Sequence, residues 1–206
     1  KFALILLVLL PLLWASFASP QTAFGATITV DNFTDEITTN GQCSLREAVQ
    51  NANDNAATFP DCVAGAGASD TIVFSGSGTI VFTLGEINVN TTIIIDGGGD
   101  VDLDGNLAGR LFRLGSSNSN LTLDNLSIFN GEVTVGSGGA ILADGPGSDL
   151  TITNSNVYNN TAQNDGGAIL SNGSVTIFNS VFETNDAGNN GGAIYFASND
   201  GALTIT

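Results

Sequence analysis

Gly138-Gly139-Ala140-Ile141, Gly166-Gly167-Ala168-Ile169 and Gly191-Gly192-Ala193-Ile194 are three copies of one tetrapeptide, spaced 28 and 25 residues apart. An identical motif returning at the interval of one supersecondary unit marks a stacked-repeat solenoid. Alignment on these glycines brings three preceding segments into step: Leu121 to Ile128, Leu150 to Val157 and Val175 to Phe182. Each opens apolar-Thr-apolar and reaches an asparagine at its fifth place. Period-two alternation predicts a short strand with Leu121 and Leu123, Leu150 and Ile152, or Val175 and Ile177 facing in and threonine facing out. Asn125, Asn154 and Asn179 then fall at a corner, where asparagine tolerates a left-handed backbone.

Beyond that corner, Ile128, Val157 and Phe182 are expected in the core. Gly131, Asn160 and Asn185 follow at a second bend, then Val133, Ala162 and Ala187, and then a strand made by the Gly-Gly-Ala-Ile motif. Three short strands and three bends in about 25 residues, without helical periodicity, describe one turn of a parallel β-helix. The predicted fold is all-β: a right-handed, single-stranded parallel β-helix with a short N-terminal capping helix. Stacking at the ~4.8 Å strand spacing would fill the inside with aliphatic rows and pair the amides of Asn125, Asn154 and Asn179 as a ladder. No leucine-rich repeat pattern is present.

The chain from residue 76 is assigned to the β-helix, with regular coils only from about residue 121. Thr79–Phe82, Thr92–Ile95 and Val101–Leu103 are β-branched or aliphatic runs broken by glycine turns, and read as earlier, looser coils. Arg110–Leu114 reads as a further strand with Leu111 and Arg113 on one side and Phe112 and Leu114 on the other. Leu203–Thr206 begins a repeat that is not completed and no methionine opens the chain, so the sequence reads as a fragment of a longer protein.

Residues 1–25 have the form of a secretory signal peptide, with Lys1 before an apolar run and small residues suited to cleavage after Ala18 or Gly25. An uncleaved anchor is the alternative, but the run is shorter than the ~20 residues a membrane span needs. Export also suits Cys43 and Cys62, the only cysteines, which can pair in an oxidising compartment or remain free thiols. The protein is therefore expected outside the cell or on its surface after Sec-type export, with no membrane span in the mature chain, and as a monomer.

Residues 26–75 are different in kind. Ser44 to Glu47 forms a capping-box pattern, and Leu45, Ala48, Val49 and Ala52 follow at amphipathic helical spacing. Such a helix can cover the open first coil, and a bond between the flanking Cys43 and Cys62 would staple it down. In this setting Arg46 and Glu47 read as structural residues.

Net charge is −16, and beyond the leader the only basic residues are Arg46, Arg110 and Arg113. Nothing here could neutralise a row of phosphates, which excludes nucleic acid as an expected partner. The chain has no histidine, so a catalytic thiol is unsupported. Six Asn-x-Ser/Thr sequons, at Asn32, Asn90, Asn120, Asn125, Asn159 and Asn172, are what a chain this rich in Asn, Ser and Thr supplies by composition.

Thr27–Asp31 followed by Cys43-Ser44-Leu45-Arg46-Glu47-Ala48 resembles the CSLREA domain of secreted bacterial repeat proteins. From about Ile93 onward, Asp96-Gly97-Gly98 and the later Gly-Gly-Ala-Ile units are similar to parallel β-helices of the pectin-lyase-like class. Those units, with Phe182 to Asn185 as a Phe-x-x-Asn motif, also resemble the repeats of chlamydial polymorphic outer membrane proteins, whose passengers are surface adhesins. These resemblances imply a structural or adhesive surface protein that meets a carbohydrate or another protein.

The pectin-lyase likeness carries the alternative of a polysaccharide lyase or glycoside hydrolase, with calcium-binding carboxylates and an Arg or Lys base on one outer sheet. Calcium is the one cofactor the sequence raises: Asp100, Asp102 and Asp104, before Gly105, match the first half of a calcium-loop pattern. The closing acidic ligand is missing, because Leu111 stands there. A hydrolase would need two carboxylates across a cleft. Asp96, Asp124, Asp144 and Asp165 all lie beside turns, where aspartate is favoured for backbone reasons, and no catalytic pair is singled out.

Overall fold

A computed structural model describes residues 24–198 and 200–206; most of the leader assigned to residues 1–25 lies outside them. The described chain is a parallel β-solenoid of about four turns with one short helix, Leu45–Asp54, near its N-terminus. Its largest sheet runs Thr27–Val30, Asp70–Phe74, Thr92–Asp104, Asn120–Phe129, Asp149–Thr153, Val175–Phe178 and Leu203–Ile205 in spatial order. Beyond the first corner this sheet continues through Gly78–Val81, Asn156–Tyr158 and Val181–Glu183. A second sheet holds Glu132–Val133, Thr161–Ala162 and Asp186–Ala187. The third holds Ile87–Asn88, Phe112–Leu114, Ile141–Ala143, Ile169–Ser171 and Ile194–Phe196.

Strand alternation positions the core as the sequence predicts. Ile28, Ile72, Ile95, Leu123, Ile152 and Ile177 are successive register partners, and all six are buried. Fully burying each such side chain contributes roughly 2 kcal/mol relative to leaving it exposed. Thr122, Thr151 and Thr176 stack on the opposite, outward face. Past the corner, Ile128, Val157 and Phe182 align, as do Val133, Ala162 and Ala187.

The Gly-Gly-Ala-Ile motif is a corner, and only its isoleucine enters a strand, which corrects the expectation of a strand across all four residues. Ala140 and Ile141 both donate their backbone N–H to the Ala168 carbonyl, and Ala168 and Ile169 both donate to that of Ala193. Two consecutive amides converging on one oxygen bend the chain between them, so Ala and Ile both turn inward. Arg110–Leu114 has the same geometry, with Leu111 and Phe112 both donating to the Ala140 carbonyl. Leu111 is therefore fully buried beside Phe112, not on the side of Arg113.

The glycines are needed at this corner. Gly138, Gly166 and Gly191 have φ of 67°, 67° and 63°, in the left-handed region that L side chains rarely adopt. A Cβ on Gly139 would strike the Gly167 carbonyl in the next coil, and one on Gly167 would strike that of Gly192.

The sheet does not break at residue 76, because Thr27–Val30 and Asp70–Phe74 already belong to it. The helix lies against these two strands with Leu45, Ala48, Val49 and Ala52 buried. Its capping box is complete: Glu47 N donates to Ser44 Oγ and Ser44 N donates to Glu47 Oε2. Cys43 and Cys62 are joined by a disulfide. Asn51 secures the loop between helix and Cys62, donating from Nδ2 to the carbonyls of Phe59, Cys62 and Val63 and accepting from Phe59 N.

Candidate functional site

Asn125, Asn154 and Asn179 adopt φ of 55°, 50° and 47°, so each supplies the left-handed residue of the first corner. One amide-to-amide rung joins them, from Asn179 Nδ2 to Asn154 Oδ1 at 2.9 Å. The next rung passes to a carboxylate: Asn154 Nδ2 donates to Asp124 Oδ1 at 2.8 Å, and Asn125 Nδ2 donates to Asp96 Oδ1 and Asp124 Oδ2. This row is solvated, since Asn154 and Asn179 are exposed and Asn125 is half-buried.

A second asparagine row is buried at the second bend. Asn160 is fully buried; its Oδ1 accepts from Gly131 N, and its Nδ2 donates to the carbonyls of Ile128 and Tyr158 and to Asn185 Oδ1. Asn185 in turn donates to the Val157 carbonyl. The alignment of Gly131, Asn160 and Asn185 carried this signal. Only the fold distinguishes the inward amide from the neighbouring Asn159, which is exposed and left-handed at φ 53°.

The acidic residues do not gather. Asp100 is exposed, and Asp102 and Asp104 project outward from the strand Thr92–Asp104. Asp102 accepts from the Thr79 hydroxyl, while Asp104 Oδ1 accepts from Asn106 N and Asn130 Nδ2. Among the described residues no group of three or more Asp, Glu, Cys or His side chains is arranged to hold a metal ion. Asp96 and Asp124 are register partners within the sheet, Asp144 is paired to Arg113, and Asp165 accepts from Asn190.

All three arginines of the described chain converge on Glu86. Arg110 Nη1 pairs with Glu86 Oε2 at 2.5 Å, Arg113 Nη1 lies 3.9 Å from Oε1, and Arg46 Nη1 donates to the Glu86 carbonyl. Each is held elsewhere as well. Arg110 donates to the carbonyls of Ser137 and Gly138, Arg113 pairs with Asp144, and Arg46 forms a two-pronged pair with Asp35. Burial pushes the Asp35 carboxyl upward, but the Arg46 guanidinium and the amides of Thr83 and Leu84 outweigh it and hold it below its ordinary value.

The outer face beyond the first corner carries a different pattern. Val81, Asp104, Phe129, Tyr158 and Glu183 form one outward column of register partners, beside Thr79, Asp102, Ser127, Asn156 and Val181. Phe129 and Tyr158 stack with ring centroids 4.9 Å apart and planes 5° from parallel. Burial, and then the charges of Asp102, Asp104 and Glu183, raise the Tyr158 phenol above its ordinary value.

Residues 154–172 match the Chlamydia polymorphic membrane protein repeat. The matched segment takes in the exposed Asn154, the buried Asn160, the central Gly-Gly-Ala-Ile corner and Tyr158 of the ring pair. It therefore covers most of one coil, and it agrees with the reading of the chain as a β-helix repeat protein. Neither a curated protein nor a solved structure matches the chain. No helix among the described residues is long and apolar enough to cross a membrane.

Proposed function

We propose that this is an exported, surface-displayed β-solenoid that binds carbohydrate or protein through its outer faces and catalyses no reaction. The observation that carries this reading is the recurrence of outward side chains in register from coil to coil, as in Thr122, Thr151 and Thr176. A stacked repeat offers the same contact several times along its axis, which suits an extended ligand better than a single reacting bond. The Cys43 to Cys62 disulfide fits an oxidising compartment. The match to a membrane-protein repeat favours a place at the cell surface. The engagement of Arg46, Arg110 and Arg113 around Glu86 supports the non-catalytic reading over a lyase, because a lyase base must be free to take a proton from its substrate.

The test is to express the chain with its leader in a bacterial host, follow it to the cell surface by protease accessibility, and apply the purified protein to glycan and matrix-protein arrays. Surface exposure together with retention on an array is the expected outcome. Cytoplasmic retention would overturn the placement. Release of unsaturated products or new reducing ends from a polysaccharide, with or without calcium, would replace binding by catalysis.

A further inference from the structure

We propose that the outward column Asp104, Phe129, Tyr158 and Glu183, with Asp102 beside it, docks an extended polypeptide segment bearing cationic side chains at positions i and i+4 and an apolar side chain at i+2. This rests on the reading of the outer faces as binding surfaces and names the partner for one of them.

The order of the column is acid, ring, ring, acid along the solenoid axis. Three strand steps of ~4.8 Å separate Asp104 from Glu183, about 14 Å in all, while alternate side chains of an extended peptide recur every ~6.7 Å, so that i and i+4 lie about 13 Å apart. The two spacings agree. A peptide laid along the axis would set one cation against Asp104 and Asp102, its apolar residue on the Phe129 and Tyr158 pair, and its second cation against Glu183. A cation beside an aromatic ring and a carboxylate is attracted by both.

The acceptors are available. Asp104 uses only Oδ1, for Asn106 N in its own turn and Asn130 Nδ2 in the next coil, and Asp102 accepts a single hydroxyl. Among the described residues the ion pairs involve only Asp35, Glu86 and Asp144, so Glu183 and its column partners face no cation. Ser127 and Asn156, in the adjoining column, offer polar groups to the peptide backbone. With all three arginines gathered at Glu86, no basic side chain among the described residues lies on this face to repel a cationic ligand.

The test uses a labelled peptide, Gly-Lys-Thr-Leu-Thr-Lys-Gly with blocked ends, titrated with the protein and read by fluorescence anisotropy at low salt. Binding is expected to weaken as salt rises and to exceed that of the same composition reordered as Gly-Lys-Lys-Leu-Thr-Thr-Gly. Glu183→Gln is expected to weaken it about threefold, as loss of one exposed ion pair implies, and Tyr158→Ala about fivefold or more, as loss of the apolar contact implies. Asp200→Asn, at an exposed carboxylate away from the column, is expected to leave it unchanged. Glu183→Gln is isosteric and exposed, so it decides the matter even if Tyr158→Ala fails to fold. Equal affinity for the reordered peptide, unchanged binding by Glu183→Gln, or binding of a glucosamine oligomer but not of the peptide would each overturn the proposal. Anisotropy in solution is independent of export, so a failure of surface display and a failure of this docking site are separate results.

Discussion

The side-chain amide of Asn160 donates to Asn185 Oδ1 at 3.0 Å from a position with no solvent exposure. One residue earlier, Asn159 is exposed. Two adjacent asparagines thus have opposite duties, the first bending the backbone and the second satisfying the backbone groups that the bend leaves inside.

Asn160→Leu is expected to destabilise the protein by about 3 kcal/mol or more, because Gly131 N–H and the carbonyls of Ile128 and Tyr158 lose a partner where water does not reach. Asn154→Ala, at the left-handed corner, is expected to cost about 1 kcal/mol, because the links of its side chain to Asp124 and Asn179 are solvent-exposed and the main penalty is the alanine backbone at φ 50°. Urea midpoints of the two variants check the ranking.

Thr184 occupies the left-handed position at φ 51°, where the two preceding coils have Asn130 and Asn159. A β-branched residue is strained there. Thr184→Asn is expected to raise stability by about 1 kcal/mol, seen as a higher melting temperature.

Glycines differ in what surrounds them. Gly167→Ala drives a methyl into the Gly192 carbonyl, whereas nothing lies within 4 Å of a Cβ on Gly109. A loss of about 1–3 kcal/mol is expected for Gly167→Ala, as for other overpacked sites, and little change for Gly109→Ala. Equal denaturation midpoints would contradict the close stacking of the Gly167 corner on the Gly192 corner.

Reduction of the Cys43 to Cys62 bond, which closes a loop with a sequence separation of 19, is expected to lower stability by about 3 kcal/mol. Thermal melts with and without reductant measure it, and a Cys43→Ser, Cys62→Ser double variant should match the reduced protein.

The depressed Asp35 carboxyl fixes a sign. A group whose folded pKa lies below its unfolded value stabilises the fold above the unfolded pKa, about 3.9 for aspartate, and that stabilisation is lost as pH falls through the folded value. Asp35→Asn is therefore expected to be less stable than the parent at pH 7, with the difference shrinking below about pH 4. Denaturation curves at several pH values test this.

Coil register was legible in the sequence because period two is a local property. Leu123, Ile152 and Ile177 could be placed inside from their own neighbours, and so could the helix stripe from Leu45 to Ala52. The Gly-Gly-Ala corner is not distinguishable from strand in the sequence, because apolar Ala140 and Ile141 satisfy a strand pattern and a bend pattern equally. The same holds for Leu111 beside Phe112. Strict alternation fails wherever consecutive amides share one acceptor.

Local pattern specified the architecture: the repeat interval, the aliphatic rows, the left-handed asparagines and the capping helix. Each follows from residues a few positions apart. Which asparagine is buried, where the three arginines go and which side chains share an outer face were decided only by tertiary structure. Arg46 meets the Glu86 carbonyl across 40 residues of chain and Phe129 stacks on Tyr158 across a whole coil. Contacts of that kind are set by the angle at each corner and the rise of each turn, and neither is written in a local pattern.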